Sequence, residues 1–216
     1  AAFLNEARRR LHPLGAIVAA DVFGLSPNDP RDVNIGQQWE TISSTADHIL
    51  PMMYPSHYLP THLPGVPTPD KMPYETLYKS AGMARLRTDR MREAGVKPAR
   101  VIPWIQGFTA TWLASHLDYG PQELRRQKDG IYDVGFEDWV IWHPGSKYEH
   151  LLGGLEPEAA SRAKPTYQPP ADVLAVVDRF ESQGVQEARQ KAAKQARGDT
   201  SDPGAAQAAK TGEEVE

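Results

Sequence analysis

The sequence contains no cysteine, which excludes disulfides and thiolate metal sites without fixing a compartment. No apolar run approaches the ~20 residues that cross a bilayer, so no membrane span is expected. Neither G-x-G-x-x-G nor G-x-x-x-x-G-K follows an apolar run, which counts against nucleotide binding. There is no G-x-S-x-G elbow, and the adjacency of Ser56 and His57 is not a triad, so a serine hydrolase is disfavoured. Net charge is −4 with no dominant block of one sign, which does not favour nucleic acid as partner. Aromatic residues fade late in the chain: all five Trp precede residue 143, and residues 156–216 hold only Tyr167 and Phe180. That last stretch is rich in Ala, Gln, Lys and Glu and cannot offset its ordering entropy by burial. The core is therefore expected within residues 1–155, and residues 156–216 are expected to be a Pro-containing linker and a helical or disordered tail. The chain opens "AAFLNEARRR" without an initiator Met, and a fragment or processed form is expected.

What is present is an alternation of helical and strand-like segments. Leu4, Ala7 and Leu11 share a helical face that ends at Pro13 and Gly15. Helical stretches are also expected near 36–44, over 73–94 between Pro73 and Gly95, and about 120–134. Four short apolar runs begin at residues 16, 48, 100 and 138: "AIVAADVF", "HILPMMY", "RVIPWIQ" and "DWVIWHPG". Residues 55–73 carry six prolines and are expected to form a long, stiff loop. Each interval between runs is long enough for a crossover helix, which indicates a parallel sheet. Open doubly wound sheets and closed barrels share this signature. Polar and aromatic residues at all four strand exits, and the missing phosphate fingerprints, favour a barrel.

In a (β/α)₈ barrel the chemistry lies at the C-terminal ends of the strands. Asp21 closes the first run, Tyr54 the second with His57 just beyond, Gln106 the third, and Trp142 with His143 the fourth. Trp104 lies two residues before Gln106, on the same strand face. Asp138, at a strand entry, is expected to be structural. Aromatic faces stack on the apolar faces of sugar rings, and carboxylate, amide and imidazole groups bond hydroxyls. The set therefore points to a carbohydrate, with Asp21 as catalytic carboxylate and Tyr54, His57, Gln106, Trp104 and Trp142 as substrate contacts. Each has a plainer reading: Asp21 could hold a loop, Tyr54 cap the core, His57 face solvent, Trp104 and Trp142 fill the barrel, and His143 pack on a helix. His57 and His62 have a zinc-like H-x₄-H spacing, but the spacing alone is a weak signal, and neither metal nor cofactor is expected.

Five stretches, "FLNEARRRLHPLGAIVAADVFGL", "IGQQWETISSTADHILPMMYPSHY", "YETLYKSA", "ARVIPWIQGF" and "GFEDWVIWHPGSKY", together resemble the bacterial putative glycosyl hydrolase domain family over about residues 3–148. The resemblance implies glycoside hydrolysis on a (β/α)₈ barrel, with this chain supplying strands five to eight. In the family an Asp- and Arg-bearing strand-four motif precedes the stretch that opens this chain. Asp21 would then be at most the partner of an upstream carboxylate, and the fragment alone would be inactive. A non-catalytic sugar-binding barrel and a metal-dependent hydrolase are the alternatives. Polymer hydrolysis would suit an exported or cell-surface protein.

Overall fold

The computed structural model describes residues 1–32, 34–155 and 166–181. The chain divides into Ala1–Arg179 and Phe180–Glu216, and only residues 180 and 181 of the second part are described. The tail expected from composition therefore lies mostly outside the described residues.

Up to residue 155 the α-helices are α1 (Ala2–Leu11), α2 (Trp39–Ser43), α3 (Pro73–Glu93) and α4 (Pro121–Asp133). The strands are β1 (Ala19–Phe23), β2 (His48–Met52), β3 (Arg100–Val101), β4 (Trp104–Gln106) and β5 (Val140–Trp142). All pairings are parallel, in the order β1-β2-β4-β5 with β3 also on β2. This is a parallel α/β sheet with crossover helices, compatible with a barrel of the TIM type. The run "RVIPWIQ" divides into β3 and β4 because the register that pairs Ile49 with Val101 and Met52 with Trp104 sets Pro51 opposite Pro103. Proline has no N–H for the ladder, so pairing lapses there.

The helix boundaries follow local chemistry. Pro73 and Pro121 stand at the first helical positions, where a missing N–H costs nothing. The N–H of Gly120 is satisfied by Glu123 Oε2 at 3.0 Å. Gly95 and Gly135 follow the helix ends at φ of 77° and 83°, a conformation that favours glycine. Gly130 lets α4 lie against α3, because a Cβ there would come within 2.7 Å of the Tyr74 carbonyl oxygen.

Strand alternation divides the sheet into two unlike faces. Val22, Ile49, Met53, Val101 and Ile105 are buried with Leu77, Ala81 and Ala84 of α3 and Leu124 and Ile131 of α4. On the opposite face Ala19, Asp21 and Phe23 are exposed, Leu50, Met52 and Trp104 half-buried, and Trp142 exposed. Period-two geometry makes this division unavoidable once α3 and α4 cover one side.

The Pro-rich loop contains short helical turns at Pro55–His57 and Pro69–Lys71. It encloses a second apolar cluster in which Tyr58, Leu63, Val66 and Met83 meet Val173 and Val177. The last two belong to a helix that begins at residue 171. This helix extends the core past residue 155, because "ADVLAVVDRF" spaces Val173 and Val177 one helical turn apart, so that both turn to the same side of the helix. Lys79 pairs with Asp172 at 2.5 Å beside it.

Arg87 of α3 fixes the loop after β1. Its guanidinium pairs with both oxygens of Glu40 at 2.7 Å, and Nη1 donates to the carbonyls of Ser26, Pro27 and Asp29. Arg87→Met should lower unfolding free energy by about 2–3 kcal/mol, since the carbonyls and Glu40 lose their donors together. Urea unfolding checks this, and a loss below about 0.5 kcal/mol, typical of neutral surface changes, would contradict it.

Candidate functional site

Asp21 lies in the middle of β1, not at its end. The apolar pair Val22–Phe23 carries the strand on to Phe23, so Asp21 sits two residues inside the rim. Its side chain projects from the uncovered face, where the indole N–H of Trp104 donates to Oδ1 at 2.8 Å. Among the described residues no hydrogen bond is made to Oδ2. Trp142 stands edge-on to Trp104, with ring centroids 6.3 Å apart and planes at 90°. Register explains the meeting: Gln106 pairs with Trp142 and Trp104 with Val140, so both indoles rise from one face. Asp21, Trp104 and Trp142 thus form one group.

Tyr54 and His57 form the neighbouring group. Their rings are 5.2 Å apart, and Tyr54 also meets Phe108 edge-on at 5.9 Å. Burial pushes the Tyr54 phenol well above its ordinary value, and the negative charge of Asp21 adds to the shift, followed by Tyr148. The phenol is therefore a neutral hydrogen-bonding group near the carboxylate. The His57 ring lies 6.4 Å from both Phe108 and Trp112, and this cover lowers its pKa although the residue as a whole is exposed.

Gln106 reaches the site indirectly. It is fully buried, its Oε1 accepts the Ser56 N–H at 3.0 Å, and its Nε2 donates to the Phe108 carbonyl at 2.9 Å. Gln127 of α4 secures it by bonding both its N–H and its carbonyl. The amide thereby positions the turn bearing Tyr54 and His57 and the loop bearing Phe108. Gly107 allows β4 and β5 to approach, since a Cβ there would come within 2.6 Å of Ile141 Cγ2.

The loops add rings to this end of the sheet. Phe108 and Trp112 follow β4, and His143 follows β5, where it meets Phe108 at 6.5 Å, Tyr148 at 6.0 Å and His150 at 5.7 Å. Applying the strand-exit rule to "GFTATW" after Gln106 would have singled out Phe108 and Trp112. Tyr148 carried no comparable signal.

His57 and His62 have different neighbours: His62 packs on Tyr58 and its Nδ1 accepts the Leu59 N–H. Among the described residues no group of three His, Cys, Asp or Glu could hold a metal ion. No described helix is long and apolar enough to cross a membrane. At the strand-entry end Asp138 pairs with Arg100 beside an open groove of about 390 Å³. Its lining residues Asp47 and Glu137 stand shortly before β2 and β5, at the entry end of those strands.

In an NMR titration the His57 imidazole should protonate below the ordinary value of 6.5. As pH falls through 6.5 the unfolded chain takes up this proton first, so stability decreases with acidification in that window. Trp112→Ala should raise the His57 midpoint towards 6.5 by removing apolar cover. A wild-type midpoint above 6.5 would contradict the assignment.

Comparison with known proteins bears on this arrangement. No curated protein matches the chain. A solved structure, the PgaB (BpsB) glycoside hydrolase domain from Bordetella bronchiseptica, aligns at 16% identity and a TM-score of 0.39. The alignment covers 59% of this chain and 30% of that one, so the chain spans under a third of that neighbour's length. The profile of the putative glycosyl hydrolase domain matches residues 1–148, which include α1 to β5 and, around Asp21, the residues Tyr54, His57, Trp104, Gln106 and Trp142. The chain belongs to the putative glycosyl hydrolase domain family.

Proposed function

We propose that the protein hydrolyses glycosidic bonds in an oligo- or polysaccharide, with Asp21 as one of the reacting carboxyl groups. The observation that carries this reading is the arrangement of Asp21. One oxygen is anchored by the Trp104 indole while the other takes no bond from the described residues, on a sheet face edged by aromatic rings. Glycoside hydrolysis uses a pair of Asp or Glu side chains across the scissile bond, one as acid and the other as base or nucleophile. Asp21 provides one member. We assign the sheet to one wall of a (β/α)₈ barrel, its four strand positions being strands five to eight, with the second carboxylate on another wall. Family membership and the uncovered sheet face support this reading.

The other side chains take roles that follow from their contacts. Trp104 orients the carboxylate and offers, with Trp142, faces against which a sugar ring can stack. The neutral phenol of Tyr54 can donate to a sugar hydroxyl or to the glycosidic oxygen. His57 is largely uncharged at neutral pH and exchanges hydrogen bonds with hydroxyls. Gln106 keeps Tyr54, His57 and Phe108 in register with one another.

Asp21→Asn keeps size and polarity but removes the charge and the proton exchange. In the whole protein it should reduce turnover about 10²–10⁴-fold, the scale of an acid–base contribution, with sugar binding preserved. Hydrolysis at the wild-type rate would remove Asp21 from the mechanism. Sugar binding by a wild type that lacks any turnover would favour a binding barrel instead.

A further inference from the structure

Trp112 has no part in the chemistry above, and its setting is unusual. It is 61% exposed, the most exposed of the large aromatic side chains after Phe3. An exposed indole on a mobile tip would need no explanation, but the contacts on this loop hold it in place. Before Trp112, the Gly107 N–H bonds the Trp142 carbonyl at 2.8 Å, and Gln106 binds the Phe108 carbonyl. After it, the Leu113 N–H bonds Ala110, the Leu117 N–H bonds Asp70 Oδ2, and the Tyr119 N–H bonds Thr109 Oγ1. The Tyr119 hydroxyl donates to the Asp70 carbonyl at 2.9 Å. Asp70 is itself buried, so the clamp is internal.

The ring is also oriented. Phe108 lies behind it at 5.8 Å with planes 31° apart, and His57 flanks it at 6.4 Å. A large apolar face held in the open by buried polar contacts is the form of a preorganised binding surface. Trp112 is reached from Tyr54 through Phe108, by ring contacts of 5.9 and 5.8 Å. It therefore lies beyond a sugar that touches Tyr54, where the next units of a chain would pass.

We propose that Trp112 is a stacking platform for a sugar unit remote from the bond being cleaved, and that the ligand is a chain of several sugars lying along the strand-exit rim. The proposal rests on the carbohydrate reading of the site but needs no turnover. The indole face packs against the axial C–H groups of one ring, while its N–H serves a hydroxyl at the edge. Selection is then for chain length as well as for sugar identity.

The test is binding by the whole protein in native gels cast with hydroxyethyl cellulose, xylan, galactomannan or chitosan. Oligomers of two and six units of the retarding polymer are then titrated by calorimetry. Wild type should be retarded by at least one polymer and should bind the six-unit oligomer more tightly than the two-unit one. Trp112→Ala should weaken six-unit binding about tenfold, a typical loss for a Trp anchor, and abolish the length preference. Trp112→Phe should restore most of it. Unchanged circular dichroism and melting temperature are expected because the side chain is exposed. Equal six-unit binding by wild type and Trp112→Ala would overturn the proposal, as would retardation of wild type by none of the polymers. Length-dependent binding without hydrolysis would sustain the Trp112 platform while refuting the glycosidase reading, so the two fail separately.

Discussion

The constraint on which the structure depends is the two-sidedness of a short parallel sheet. With α3 and α4 on one side, alternation commits Val22, Ile49, Val101 and Ile105 to the core and turns Asp21, Trp104 and Trp142 outward. A one-residue slip in β1 would bury the Asp21 carboxylate and expose Val22, two penalties at once. Parallel registers from β1 through β5 prevent such slips and set both indoles on the face of the carboxylate. The Trp104–Asp21 hydrogen bond is a direct result of this registration.

A second level of organisation fixes the loops around that face. Buried polar side chains do this work: Arg87 for the loop after β1, Gln106 for those after β2 and β4, and Asp70 for the far part of the β4 loop. Tyr58 joins the first two by donating to the Gly24 carbonyl and meeting Ser80. Irregular backbone leaves many donors and acceptors without ladder partners, and these side chains satisfy them. The aromatic rings at the strand exits are thereby carried on backbone held by buried polar contacts.

Much of this was legible in the sequence, for identifiable reasons. The four apolar runs and the capping residues Pro73, Gly95 and Pro121 report local chemistry, so the strands and helices fall close to their expected places. The paired prolines at 51 and 103 are visible individually, but their opposition depends on register. Asp21 stands out in the sequence as a charge in an apolar run, but it lies two residues inside the strand exit because Val22 and Phe23 extend β1. Gln106 shows the limit of the strand-exit rule: the position is right, yet its amide is consumed by Ser56 and Phe108. The contact of Trp112 with His57 and the packing of Val173 and Val177 on the Pro-rich loop arise only when distant segments meet. Pattern within one segment cannot report them.

The central claim is that the uncovered sheet face, from Asp21 to the strand-exit rim, receives the sugar. Hydroxyl-radical footprinting of the whole protein, with and without an oligosaccharide that it binds, tests this most directly. Trp104, Trp142 and His57 should lose reactivity when the sugar is present, while Phe136, at the strand-entry groove, stays unchanged. Protection at Phe136 with no change at Trp104 and Trp142 would place the ligand at the opposite end and contradict the assignment.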